Sequence, residues 1–198
     1  RYQIGKIVNI IFISKDGPIV TEKLYLNINQ ENIYKIVSDQ KEVLSRELEG
    51  MGFDFTNVNG KLLFKNKTYK IRIRLKGDTS DHFKNNQWSF RIKLKDDEKL
   101  EGMKIFSLHH AKHRNYFFEW FFMKTIKRED LIAPNYDFVE VYLNGNSLGL
   151  YAIEEHFSKE IIESNSRREG PIIRFEENFY PRFLMDLWKL EDYNLISK

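Results

Sequence analysis

The chain has 198 residues, of which 41% are hydrophobic and 15% aromatic, so it can bury a real core and is not disordered as a whole. Its formal net charge is only +3, from 32 basic and 29 acidic residues, which excludes a general polyanion binder and argues against nucleic acid as a partner. The absence of cysteine excludes disulfides and thiolate chemistry, and no apolar run reaches the ~20 residues of a membrane span.

The first third of the chain is predicted to be mostly β structure with one helix. The predicted helix carries apolar side chains at loose helical spacing and ends at Gly50. A tight turn is predicted at Asn59 and Gly60, a dipeptide that hairpins favour. The elements predicted here are, in chain order, strands over residues 4–13 and 19–28, a helix over residues 30–50 and a hairpin over residues 53–64.

Two segments in the middle of the chain alternate strictly between apolar and basic side chains. They cover residues 69–77 and 88–95 and are joined by a long polar loop. Because side chains of a strand point alternately to opposite faces, this pattern predicts a hairpin with one buried face and one basic face. The basic face, called the basic ribbon below, consists of Arg72, Arg74, Lys76, Arg91, Lys93 and Lys95. Like charges on paired strands repel, so the ribbon indicates a site for an anion such as phosphate; the alternative is a solvated outer face.

The second half is predicted to combine a buried helix with a further hairpin. The helix covers residues 113–128 and is apolar almost all round, which is typical of a buried helix. Within it, Glu119 needs a partner: Lys93 or Arg91 in a kinase-type pair, or a structural ion pair between helix and sheet. Asn144 and Gly145 predict the turn of a hairpin. The later elements predicted are a helix over residues 158–165, a strand over residues 171–175 and a helical segment over residues 176–198.

Two groups of titratable side chains are further candidates for a site. His109, His110 and His113 are close together in the chain, as metal ligands often are, but the sequence contains no cysteine and no zinc-protease motif that would complete a site. We therefore expect these histidines to pack against the following helix, and no metal site is predicted. Glu154 and Glu155 end a predicted strand, and neighbouring strand residues face opposite ways, so at most one of them joins a given site. The alternative for this segment is the acidic start of a helix.

Several of these segments resemble one known family. The resemblance covers about residues 69–175, and it rests on residues 73–78 with 88–93, residues 102–108 with Arg114 and Asn115, residues 131–134, and a distinctive phrase over residues 138–155 that contains Asn144, Gly145, Gly149 and Tyr151. Together they are similar to the spore-coat protein H (CotH) kinase-like family. Lys76 stands where that family often has Arg, and Arg174 where it often has Lys, so the charge is kept at both positions.

The resemblance implies an atypical protein kinase that binds ATP with Mg²⁺ and phosphorylates protein Ser or Thr. Combined with the predicted elements, it gives an α+β fold: an antiparallel sheet with packed helices, like the N-lobe part of a kinase. The nucleotide-binding candidates are Arg74, Lys76, Arg91, Lys93, Glu119, Glu154 and Arg174. No catalytic residue is assigned, because the family's metal-holding aspartates lie in a later motif that has no counterpart here.

Residues 1–198 are therefore predicted to form one CotH-kinase-like domain, a fragment that lacks the C-terminal metal-binding part, with a less recognisable β-rich extension over residues 1–65. Kinase activity is expected only where the intact protein supplies the aspartates. The expected partner is a protein of the spore coat or cell envelope, and the expected location is the bacterial envelope, the spore coat or outside the cell. The alternative is a non-catalytic coat or envelope binding module that holds an anionic ligand on the basic hairpin.

Overall fold

A computed structural model describes residues 13–14, 17–18, 22–46, 50, 52–85, 87–168 and 170–173, with the backbone alone at residues 13–14 and 17–18 and at Arg114. The strand predicted over residues 4–13 lies outside this part except for its last residue. Arg174 and the helical segment predicted over residues 176–198 lie wholly outside it. The described residues 171–173 are not in a strand, contrary to the prediction for that segment.

Within the described residues the chain forms nine strands, three α-helices and two short 3₁₀ turns. The strands are β1 (Ile13–Ser14), β2 (Gly17–Pro18), β3 (Glu22–Asn27), β4 (Val58–Phe64), β5 (Lys67–Leu75), β6 (Phe90–Leu94), β7 (Ile105–His110), β8 (Tyr136–Leu143) and β9 (Asn146–Glu155). The α-helices are α1 (Gln30–Leu44), α2 (Phe118–Arg128) and α3 (Lys159–Ser164), and the 3₁₀ turns are Ser80–His82 and Ala111–Arg114.

Seven of the strands form a closed barrel in the order β3-β4-β5-β6-β7-β9-β8. Six neighbouring pairs are antiparallel, and the barrel closes where β3 pairs in parallel with β8, from Glu22 opposite Val139 to Leu26 opposite Leu143. The predicted α+β fold, an N-lobe-like antiparallel sheet with packed helices, is therefore wrong. The residues that pair between β3 and β8 lie more than 110 positions apart along the chain. A pairing between such distant segments leaves no local pattern in the sequence.

The barrel interior is filled with apolar side chains, because every strand turns its alternate apolar residues inward. Its fully buried members include Leu24, Leu26, Leu62, Ile71, Ile73, Leu75, Phe90, Ile92, Phe106, Leu108, Val141 and Tyr151. The Tyr151 hydroxyl donates to the backbone oxygen of Trp88 (3.0 Å), and burial raises the pKa of this tyrosine. A packed interior leaves the outer surface of the barrel as the place where a polar ligand can bind.

Asn144 connects the two strands that close the barrel. Its side-chain amide makes two 2.8 Å hydrogen bonds with Ile28, accepting from the backbone N–H and donating to the backbone oxygen. Its own N–H donates to the oxygen of Leu26 (2.8 Å). The residue also has a left-handed backbone (φ 48°), which asparagine tolerates better than most side chains, and forms the predicted β8–β9 turn with Gly145.

Helix α1 packs against β4 and β5, and its buried residues Ile36 and Val43 join the hydrophobic core. It begins after Asn29, whose side chain accepts from the N–H of Asn32, and it ends at Ser45 rather than at the predicted Gly50. The hairpin turn predicted at Asn59 and Gly60 is also wrong, because both residues lie inside β4. The turn falls at Lys65 and Asn66, which have positive φ angles of 45° and 63°. Gly60 instead allows close approach: a Cβ there would lie 3.2 Å from the backbone oxygen of Asn27.

Helix α2 lies against β8 and is not buried, contrary to the prediction from its apolar composition. Its side chains Phe118, Phe121 and Phe122 are 58%, 63% and 57% exposed. One face of α2 packs against the barrel, and no other described residues bury the remaining faces of the helix. Among the described residues, no helix has both the length and the apolar character needed to cross a membrane.

Replacing Asn144 by alanine is expected to destabilise the fold by about 2 kcal/mol, since two partly buried hydrogen bonds are lost and the left-handed backbone becomes strained. Urea unfolding measures the change. Asn144→Gly keeps the turn conformation and should lose only the hydrogen-bond part. The exposed neighbour Asn146 serves as the matched control, and an Asn144→Ala protein as stable as Asn146→Ala would contradict the closing role of this amide.

Candidate anion-binding site

The basic ribbon forms as predicted on the outer face of β5 and β6. Arg72 pairs with Lys93, and Arg74 pairs with Arg91 across the two strands. One step further, the N–H of Lys76 donates to the backbone oxygen of Ser89 (2.9 Å). The alternating apolar residues of both strands are buried, so the basic side chains line the outside of the barrel in adjacent rows.

One half of the ribbon is a solvated surface. Arg72 and Lys93 are exposed and make no ion pair within the described part of the chain, and Lys95 donates to the amide oxygen of Asn59 (2.7 Å). All three line a shallow pocket of about 320 Å³ that also includes Asp96 and Asp97. Acidic groups in the same wall weaken the attraction of this half for an anion.

The other half of the ribbon continues across two more strands. Arg91 of β6 pairs with Ser107 of β7, and Ser107 pairs with Glu154 of β9. Together with Arg74, these residues form one row on the outer face of four adjacent strands. The row brings two arginines and one carboxylate to the same surface, although they are up to 80 residues apart in sequence.

Lys76 lies beside this row and contacts three polar side chains. Its ammonium nitrogen is 3.1 Å from the hydroxyl of Ser107, 3.3 Å from Nε2 of His109 and 3.8 Å from the carboxylate of Glu154. The side chains of Lys76 and Glu154 are 26% and 21% exposed, so this ion pair is partly buried but reachable from solvent. A partly buried pair is screened less by salt than a surface pair.

His109 contacts the same carboxylate oxygen of Glu154 as Lys76 does. Its Nε2 is 2.9 Å from the Glu154 carboxylate, and its side chain is only 2% exposed. A lysine ammonium can only donate and an ionised carboxylate can only accept, so one imidazole nitrogen cannot bond to both in the same state. The shorter distance assigns the Nε2 proton to a hydrogen bond donated to Glu154, which fixes the carboxylate near Lys76.

The two arginines of the row are held by different contacts. A guanidinium nitrogen of Arg91 donates to Nδ1 of His156 (2.7 Å). Because arginine can only donate, Nδ1 of His156 carries no proton and accepts this hydrogen bond. Arg74 donates to the backbone oxygen of Leu75 (3.0 Å), and its guanidinium lies over the ring of Phe55. Burial lowers the pKa of Arg74, and the nearby charge of Asp54 opposes that effect.

The structure therefore groups four of the seven predicted binding residues, namely Arg74, Lys76, Arg91 and Glu154. Lys93 lies in the solvated half of the ribbon, and Arg174 lies outside the described residues. Glu119 is half-buried on α2 and makes no ion pair with Lys93, Arg91 or any other cation of the described chain, because α2 packs against β8 rather than the ribbon.

The sequence prediction included His109 only as a candidate metal ligand, and it did not include Ser107 or His156. A signal for Ser107 and His109 is present, since β7 alternates between apolar residues and these two polar residues. Both polar residues are nevertheless buried, so the outer face of β7 is covered. His156 follows the end of β9, and no sequence pattern marks it as a residue of this site.

Among the described residues, one group of three potential metal ligands comes together, namely Asp81, His82 and His113. Magnesium prefers oxygen ligands in octahedral geometry, and two imidazoles do not fit that preference. The chemistry available next to Lys76 is therefore that of cations and hydrogen-bond donors acting on an anion.

Glu155 is buried at the end of β9 while Glu154 is partly exposed, so the two neighbouring glutamates lie in different environments, as the alternation of side chains along a strand predicts. One carboxylate oxygen of Glu155 accepts from the N–H of Asn135 (3.0 Å), while the other has no hydrogen-bond partner among the described residues. Burial raises the pKa of Glu155 above its ordinary value of 4.5, although the Asn135 hydrogen bond and the charge of Lys127 oppose the rise.

A raised pKa in the folded state means that protonated Glu155 favours folding. Its contribution is complete below pH 4.5 and is lost as the pH rises through the folded pKa. Glu155→Gln, which cannot ionise, should therefore gain stability relative to the unsubstituted chain as the pH rises from acid to about 7, measured by urea unfolding at each pH. The exposed Glu129→Gln is the control. A difference that stays constant with pH would contradict the burial argument.

The Lys76–Glu154 pair should show a measurable coupling in a double-mutant cycle of Lys76→Met and Glu154→Gln. We expect roughly 1 kcal/mol of coupling in the free energy of unfolding, because both groups are partly buried. The exposed pair Lys67–Glu98 is the matched control and should show much weaker coupling, which falls further with added salt. Equal coupling in the two cycles would show that the Lys76–Glu154 contact is an ordinary surface pair.

Comparison with known proteins agrees with the resemblance noted in the sequence. The sequence model of the family described as CotH kinase protein matches residues 73–195, which is more than half of the chain and includes the whole Lys76–Arg91–Glu154 site. A search of curated proteins gave no match. On the strength of the family match over these residues, the chain belongs to the CotH kinase protein family.

Proposed function

We propose that this chain binds the phosphate groups of ATP, taken up with Mg²⁺, at the half of the basic ribbon formed by Arg74, Lys76 and Arg91. We further propose that the intact protein transfers phosphate from ATP to Ser or Thr side chains of a protein. The observation that carries the proposal is the contact of Lys76 with Glu154 beside Arg91, within the residues that match the family.

A lysine paired with a glutamate is a recurring part of kinase sites, where the lysine contacts nucleotide phosphates. The pair suits that task because the glutamate fixes the ammonium group without enclosing it. Here Glu154 is itself fixed by buried His109, so the position of Lys76 is set before any ligand arrives. In contrast to the pairing first expected, the glutamate comes from a strand of the barrel and not from α2.

Arg91 supports binding through its geometry. A guanidinium presents two parallel N–H groups to phosphate oxygens, and Arg91 lies in the row next to Ser107, whose hydroxyl already contacts Lys76. A phosphate bound at the exposed side of this row would meet one ammonium and one guanidinium, while the buried Ser107 hydroxyl holds the ammonium in place. Magnesium usually binds to nucleotide phosphates with several waters, so it would be held by the nucleotide rather than by the residues described here.

The substrate and location follow from the family resemblance. We propose a protein substrate of the spore coat or cell envelope, and a place in the bacterial envelope, the spore coat or outside the cell. The aspartates that would complete phosphoryl transfer are proposed to come from the intact protein.

The first test is calorimetric titration of the chain with ATP and Mg²⁺. Lys76→Met should weaken binding by at least about tenfold, which corresponds to roughly 1.4 kcal/mol. Lys70→Met is the matched control, since Lys70 lies on the same strand but pairs with Asp96, and it should bind as the unsubstituted chain does. Equal affinity of the Lys76→Met protein would contradict the proposed site.

Thermal unfolding separates the proposal from the non-catalytic alternative. A ligand that binds only the folded state raises the melting temperature, so ATP with Mg²⁺ should stabilise the chain and Lys76→Met should abolish the gain. Stabilisation by a sulfated glycan such as heparin, with none from ATP, would favour the binding module. Phosphoryl transfer itself is tested with γ-labelled ATP and the full-length protein, and no label transfer to a protein acceptor would contradict the kinase assignment.

A further inference from the structure

A second cluster of polar side chains lies where the loop that joins the two strands of the basic hairpin meets the turn that follows β7. Asp81, His82 and His113 each present a potential metal-ligating atom, and these atoms all lie within 4.8 Å of one another. Asp81 and His82 come from the 3₁₀ turn Ser80–His82, and His113 from the turn Ala111–Arg114 that follows β7. Two imidazoles and one carboxylate thus converge from segments about 30 residues apart.

The loop that carries Asp81 and His82 is held firmly in place. Phe83, the next residue, is fully buried, and its backbone oxygen accepts from the side-chain amide of Gln40 (2.8 Å). The N–H of Ser89 donates to the oxygen of His82 (3.0 Å). Gly77 makes room for the imidazole, because a Cβ there would lie only 2.4 Å from Cβ of His82. His82 is therefore positioned by the surrounding backbone.

The segment that carries His113 is fixed in a similar way. Asn115 ends its 3₁₀ turn in the left-handed conformation (φ 51°), and the N–H of Tyr116 donates to the oxygen of Ala111 (2.8 Å). The rings of His82 and His113 lie 4.6 Å apart at a steep angle of 67°. The separation is set by two anchored backbones rather than by flexible side chains.

Neighbouring hydroxyl groups orient the three side chains. The buried Ser89 hydroxyl lies 2.8 Å from Nδ1 of His82 and 3.4 Å from Nδ1 of His113, so one group fixes both rings. The hydroxyl of Thr79 donates to the carboxylate of Asp81. Hydrogen bonds of this kind, made by groups behind the ligands, are typical of metal sites and set the direction of each ligand.

We propose that Asp81, His82 and His113 bind a divalent transition metal of the zinc class. Nitrogen from two imidazoles and oxygen from one carboxylate is a ligand set that zinc accepts, and three protein ligands leave one tetrahedral position open. Asp81 and His113 also line a pocket of about 270 Å³ together with Lys84 and Lys112. These lysines favour a hydroxide or small anion as the fourth ligand.

The sequence predicts no metal site, and the three histidines that lie close together in the chain are not the group that the structure brings together. His109 lies 2.9 Å from the Glu154 carboxylate, and of His109, His110 and His113 only His113 belongs to the group of potential metal ligands. The partner histidine, His82, comes from the loop of the basic hairpin. The site is thus separate from the proposed phosphate site, and it requires no nucleotide.

The test is titration of the chelator-treated full chain with Zn²⁺ by calorimetry, and with Co²⁺ by visible absorption. We expect one metal per chain and a cobalt spectrum typical of tetrahedral nitrogen and oxygen ligands. Asp81→Asn, His82→Ala and His113→Ala should each weaken zinc binding by at least about tenfold, since even partners behind a ligand contribute that much.

The control is Asp78→Asn, which removes an exposed carboxylate of the same loop outside the cluster and should leave zinc affinity unchanged. Asp81 is exposed, so Asp81→Asn should keep the fold, and its thermal unfolding without metal should match that of the unsubstituted chain. Zinc should raise the melting temperature of the unsubstituted chain but not of Asp81→Asn. Absence of zinc binding, or equal affinity in Asp81→Asn, would overturn the proposal.

Discussion

The parallel pairing of β3 with β8 is the constraint on which the rest of this structure depends. It closes seven strands into a barrel whose interior is filled by apolar side chains, so no polar ligand can enter. The amide of Asn144 connects the end of β3 to the β8–β9 turn through two hydrogen bonds. Because the inside is occupied, every cation of the strands is directed outward, and the chemistry of this domain takes place on the outer surface of the barrel.

On that surface, the position of each residue across the strands decides what it can do. Arg72 and Lys93 face solvent, while Lys76 and Arg91 lie beside the covered polar face of β7. The loop after Gly77 covers this face and brings His82 to a ring-centroid distance of 5.8 Å from His109. The proposed phosphate and metal sites are therefore close neighbours. A bound metal ion would add positive charge near Lys76 and strengthen the attraction for a phosphate.

The strands with period-two patterns and the turn at Asn144 and Gly145 could be predicted from the sequence, whereas the turn predicted at Asn59 and Gly60 is wrong because both residues lie inside β4. The basic ribbon and the turn at Asn144 are confirmed because each depends on residues adjacent in the chain. The barrel could not be predicted, since its closing pair joins distant segments. The prediction that Glu119 needs a cationic partner, in a kinase-type pair or a structural ion pair, depends on a buried helix, but Phe121 and Phe122 of that helix are exposed. Glu154 gains its role from strand pairing with Ser107, which local sequence does not encode.

The central claim is that phosphate binds outside the barrel at the Lys76–Arg91–Glu154 surface and not along the whole basic ribbon. Amide hydrogen exchange of the chain, compared with and without ATP and Mg²⁺, tests it most directly because exchange reports protection segment by segment. The account predicts slower exchange in residues 76–91, 107–109 and 154–156, with residues 93–97 unchanged. Protection confined to residues 93–97, or no change anywhere in the barrel, would contradict it.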